Sequence, residues 1–129
     1  MIDHALSRPE VDPARLALYG ISFGGYFATR AATHDRRVKA LVANSPIPDL
    51  HTYMVGFVGH ETAANPPQLT LAQVDPGVEL SFKASCRRFG VDSMAEWLAR
   101  LRDFRTGDAL ENIRCPSLAL VGKANGRWL

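Results

Sequence analysis

The sequence has 129 residues, enough for one domain or part of one. Its 47 % apolar and 22 % charged residues are ordinary globular proportions, which exclude a disordered chain and a coiled coil. With 15 basic and 13 acidic residues the net charge is +2, too balanced to point to nucleic acid, and pairs such as Arg36-Arg37 and Arg87-Arg88 read as solvated faces.

Residues 2–7, in MIDHALSRPE, read as the end of a helix. That opening has no cationic stretch followed by an apolar core, so no signal peptide is expected. No later apolar run is long enough for a bilayer, so no membrane contact is expected either. RPEVDPAR breaks the first helix, and Asp12-Pro13 suits a turn. RLALY (15–19) is a short apolar run between turn signals, the mark of a buried strand. GISFGG follows, and then YFATRAAT (26–33), whose alanines suit a helix lying close on a sheet. After a loop at DRR, VKALVANS (38–45) reads as a second buried strand. Strand, helix and strand within about thirty residues make a βαβ unit, which implies parallel strands.

Composition changes after SPIPD. Residues 50–92 contain Pro66-Pro67 and Asp75-Pro76-Gly77 and show no alternating pattern. SMAEWLARLRDF (93–104) is the clearest helix: Ser93 and Glu96 form a capping box, and Met94, Trp97, Leu98, Leu101 and Phe104 share a face. IRCPSLALVG (113–122) reads as a third buried strand. The cysteines, Cys86 and Cys115, form no disulfide framework and lack metal-ligand spacing. They fit a reducing cytoplasm, and no cofactor or metal is expected.

The chemistry concentrates in Gly20-Ile21-Ser22-Phe23-Gly24, a G-x-S-x-G pattern between a strand and a helix. A nucleophile on so sharp a bend takes a strained backbone conformation. Side chains two residues before and after it would then collide, which accounts for Gly20 and Gly24; Gly25 leaves room where the helix crosses the sheet. The bend lifts the Ser22 hydroxyl clear, and the Phe23 N–H at the helix start is placed to stabilise an oxyanion. The bare pattern arises by chance in roughly one chain in twenty-five of this size, so the strand and helix context carries the weight. A capping serine in a glycine turn is the competing reading. Neither G-x-G-x-x-G nor G-x-x-x-x-G-K-[ST] occurs, and His60-Glu61 fails as a zinc motif because Ala64 stands at the second ligand position.

RPEVDPARLALYGISFGGYFATRAATHDRRVKALVANSPIPD resembles the nucleophile region of the α/β-hydrolase superfamily, and ENIRCPSLALVG resembles the entry to its seventh strand. The resemblance is closest to members with a helical cap between the sixth and seventh strands: fermentation–respiration switch-type proteins, pseudooxynicotine hydrolase-like carbon–carbon hydrolases, and dipeptidyl aminopeptidase-like proteins. It implies a partial α/β-hydrolase fold with about three parallel strands. The nucleophile-elbow part would cover 1–49, a mostly helical cap insertion 50–112, and a return strand 113–129.

The resemblance further implies a serine hydrolase whose nucleophile is Ser22 and whose substrate is a small ester, amide or ketone. Its triad runs serine, acid, histidine along the chain. Asn125 stands about where the acid is expected, and His4, His34, His51 and His60 all precede it. None of the four occupies the family's base position. The chain is therefore expected to be an internal piece of a larger hydrolase with little or no turnover alone. The alternative is a non-catalytic binding or interaction module on a degenerate hydrolase scaffold.

Overall fold

The computed structural model of the chain describes residues 1–59 and 76–122. It divides into two compact units: Met1–Pro48 together with the residues from Thr106 onward, and Asp49–Arg105.

The first unit contains α1 (Ile2–Leu6), β1 (Ala17–Ile21), α2 (Phe23–His34), β2 (Ala40–Asn44) and β3 (Ser117–Leu120), with short 3-10 turns at Pro13–Arg15 and Gly107–Asn112. The strands form one parallel sheet in the order β1-β2-β3. An Asp12 carboxylate oxygen accepts from the Ala14 N–H at 2.8 Å, so the chain winds one 3-10 turn through Arg15 before it extends. For that reason β1 starts two residues later than the apolar run suggests, and it continues to Ile21.

Alternate residues of a strand face opposite sides, and the two sides of this sheet differ. Leu41, Ala43 and Gly20 are buried on the side that α2 covers. Ala32 of α2 packs there with Val38 and Leu41, flanked by Leu18, Ala28, Ile113 and Cys115. Buried Thr29 and Thr33 donate their hydroxyls to the Gly25 and Arg30 carbonyls at 2.8 and 2.7 Å, so neither disturbs the helix core. On the other side the register aligns Tyr19, Val42 and Leu118, then Ile21, Asn44 and Leu120. Tyr19 and Ile21 are 59 % and 60 % exposed, and Leu118 and Leu120 are exposed as well. Parallel sheets ordinarily have both faces covered; among the described residues this face is bare.

The second unit contains α3 (Leu50–Val58), α4 (Pro76–Phe89) and α5 (Met94–Leu101). Asp49 starts α3 by accepting from the Thr52 N–H at 2.8 Å. At α5 the Ser93 hydroxyl accepts from the Glu96 N–H at 3.2 Å, while the Glu96 carboxylate reaches the Asp92 N–H at 3.1 Å. The reciprocal bond thus lands one residue before the usual capping-box position. Met94, Trp97, Leu98 and Leu101 are buried, and α5 packs on both α3 and α4. Phe104 falls just beyond the helix end and meets Phe89 edge-on at 5.3 Å. Residues 106–112, expected to close the insertion, instead belong with the sheet, where Gly107–Asn112 packs on α2. Among the described residues no helix is long and apolar enough to cross a membrane.

Candidate active site

The bend between β1 and α2 is made at one residue. Ser22 has φ 54° and ψ −124°, and it is the one non-glycine residue with positive φ among those described. Such a conformation costs a residue with a Cβ about 1–3 kcal/mol. Two backbone bonds hold it. The Ser22 N–H donates to the Asn44 carbonyl at 2.6 Å, continuing the β1–β2 ladder by one step. The Ser22 carbonyl accepts from the Gly25 N–H at 2.8 Å, opening the helix. The chain therefore passes from strand pairing to helical turn with no residue between.

Ser22 is exposed, and its side chain makes no capping bond to α2. That sets aside the capping-serine reading and leaves the hydroxyl available. Phe23 is the first residue of α2, so its N–H has no acceptor within the helix and lies at the positive end of the helix dipole.

The glycines correct the motif reading in one respect. A Cβ at Gly20 would lie 2.0 Å from the Gly24 carbonyl oxygen, and one at Gly25 would lie 2.2 Å from that of Ser45. A Cβ at Gly24 would meet nothing within 4 Å. The forced pair is thus Gly20 and Gly25, not Gly20 and Gly24. What Gly20 must clear is the carbonyl of Gly24; the α-carbon of Gly24 faces open space. Gly25 is forced because the first turn of α2 presses on the chain just past β2.

The two described histidines of the first unit lie away from this bend. His4 lies on α1, whose Asp3 pairs with Arg37 at 2.8 Å just before β2. That is the end of the sheet where strands start, whereas Ser22 follows the end of β1. His34 closes α2, about 18 Å along the helix from Ser22. Its Nδ1 is 2.6 Å from the Thr33 hydroxyl and 3.1 Å from the Arg30 carbonyl oxygen. His51 belongs to α3, in the other unit. His60 and Asn125 lie outside the described residues. Sequence reading missed the Asn44 carbonyl, which anchors the bend through a backbone atom and so leaves no residue-type signal.

A model of the prolyl oligopeptidase family matches residues 1–69, which include β1, Ser22, α2 and β2. A curated relative, the alpha/beta hydrolase gkaG of Penicillium citrinum, is 33 % identical over 150 residues. That alignment covers 95 % of this chain and 33 % of the relative, so the chain spans about a third of the relative's length. No solved structure matches significantly. A family match over more than half the residues, on a parallel sheet entered through a strained serine, places the chain in the prolyl oligopeptidase family of the α/β-hydrolase superfamily.

Proposed function

We propose that Ser22 is the nucleophile of a serine hydrolase acting on a carbonyl compound: an ester, an amide or an activated ketone. The observation that carries this reading is the Ser22 backbone at φ 54° beneath an exposed hydroxyl that caps nothing. Ser22 Oγ attacks the carbonyl carbon as its proton passes to a base, and the Phe23 N–H takes up part of the charge on the oxyanion. Collapse expels the alcohol, amine or carbanion, and water releases the acyl group. The helical unit 49–105 stands between β2 and β3 in the chain, the place that the resemblance gives to a substrate-shaping cap.

The described residues around Ser22 supply a nucleophile and one oxyanion donor, and neither His4 nor His34 fills the base position. We therefore expect p-nitrophenyl acetate hydrolysis by this chain to be slow, with any rate above background abolished by Ser22→Ala. A rate that survives Ser22→Ala would contradict the assignment of the nucleophile. Turnover at ordinary esterase rates would contradict the expectation that the chain alone is catalytically poor. The position of His34 favours a second reading, a binding module that kept the scaffold and lost the chemistry. On that reading the Ser22 hydroxyl is inert to serine-directed reagents.

A further inference from the structure

A second site lies in the sheet unit, at the end where β2 and β3 start. A cavity of about 290 Å³ is lined there by Arg36, Lys39 and Arg114. We propose that this cavity binds a small phosphomonoester, with its phosphate among the three cations and a compact apolar group against Pro116 and Cys115.

Unpaired positive charge is the key observation. Arg36 and Lys39 belong to the turn between α2 and β2, whereas Arg114 arrives just before β3. Strand pairing brings the two segments together, through the Leu41 N–H donating to the Pro116 carbonyl at 3.0 Å. Among the described residues none of the three cations forms an ion pair with a carboxylate. Lys39 gives one donor to the Arg36 carbonyl at 3.4 Å. Asp35 also lines the cavity, but its carboxylate is already committed to Arg37, which does not. It accepts from the Arg37 guanidinium at 2.9 and 2.6 Å and from the Arg37 backbone N–H at 3.0 Å. The C-terminal end of α2 adds about half a negative charge, too little to balance three cations. Like charges gathered round one cavity repel, and an anion between them reverses the sign of the interaction.

Charge and size narrow the ligand. A carboxylate brings one negative charge. A phosphomonoester brings close to two at neutral pH, with three acceptor oxygens for two guanidinium forks and an ammonium. The cavity holds more than a phosphate: a space of roughly 150 Å³ takes up benzene, so this one has room for the phosphate and one ring. Pro116, Cys115 and Val38 supply apolar lining for that ring. Arg36, Lys39 and Arg114 are all exposed, so the ligand enters from solvent without opening the fold. Ser22 follows the far end of β1, so this site binds and takes no part in the chemistry there.

Isothermal titration of the whole chain at low salt tests this with three probes: phenyl phosphate, benzoate and inorganic phosphate. Phenyl phosphate should bind wild type saturably, at least about five-fold more tightly than either of the others. Arg36→Gln and Arg114→Gln should each weaken it about five- to ten-fold, the share of one charge-assisted hydrogen bond, and Ser22→Ala should leave it unchanged. No saturable binding, benzoate or inorganic phosphate binding as tightly, or either glutamine variant binding like wild type overturns the proposal. A loss in Ser22→Ala overturns it as well, because the ligand would then sit at the nucleophile. A second readout needs no substitution: on titration of wild type with phenyl phosphate, the backbone amide resonances of residues 35–39 and 114–115 should shift. Shifts confined to other residues place the ligand elsewhere and overturn it too. Neither readout depends on Ser22 being a nucleophile, so either site can fail without the other.

Discussion

Ser22 holds a left-handed backbone that glycine would adopt freely, while its side chain makes no compensating bond to the helix it precedes. Removing the Cβ should therefore relieve strain. Ser22→Gly is expected to raise stability by about 0.5–1 kcal/mol in urea unfolding, after allowing for the extra freedom of glycine in the unfolded chain. A loss of stability would mean that the bend is not strained. The neighbouring glycines give a graded prediction. Gly20→Ala drives a methyl into the Gly24 backbone and should cost about 3 kcal/mol or more. Gly24→Ala should be neutral or stabilise by up to about 1 kcal/mol, since the methyl enters open space on a helix. Equal effects at the two positions would refute the geometry. The serine and Gly20 were legible in the sequence because the bend is local. The exchange of roles between Gly24 and Gly25 was not, because it depends on the Ser45 carbonyl, brought in by the next strand.

At the scale of elements, the segments with local signals are the ones that sequence reading placed. Helix α5 carries its own start in Ser93 and its own buried stripe, and both form as read, apart from Phe104 beyond its end and the Glu96 carboxylate, which accepts from the Asp92 N–H and not from that of Ser93. Ser93→Ala should cost about 1 kcal/mol by chemical denaturation, and no loss would show that the cap contributes nothing. The helices α3 and α4 were harder to read. Asp49 does cap α3, but Leu50–Val58 is apolar on most positions and gives no periodic contrast. The loop from α2 to β2 gives a pH prediction. Arg37 donates to Asp35 through its backbone and its guanidinium, and those hydrogen bonds hold the Asp35 carboxyl at about 2, below its ordinary 3.8. A lowered carboxylate value adds stability that is fully present above its unfolded value and is lost as pH falls through the folded one. Unfolding midpoints should thus drop less between pH 4 and pH 2 in Asp35→Asn than in wild type. Parallel curves would show that the pair contributes nothing.

Over the whole molecule, one surface stands apart: the sheet face that carries Tyr19, Ile21, Leu118 and Leu120. Exposed apolar area of this kind drives association, so light scattering should grow with protein concentration and fall in Leu118→Glu. Scattering unchanged by that substitution would mean that the face is not the adhesive one. The sheet itself was legible because βαβ order dictates parallel strands. Its bare side was not, because strand periodicity shows which residues share a face and not what lies against it. The chain spans about a third of its curated relative, and a full catalytic cycle asks more than the serine and the donor beside it. Covalent capture asks less, since one activated hydroxyl suffices. The most direct test of Ser22 is therefore treatment of the folded chain with a fluorophosphonate, followed by mass spectrometry of its peptides. The account predicts one adduct, on Ser22, that is absent from Ser22→Ala; an adduct on another residue, or none on the folded wild type, would contradict it.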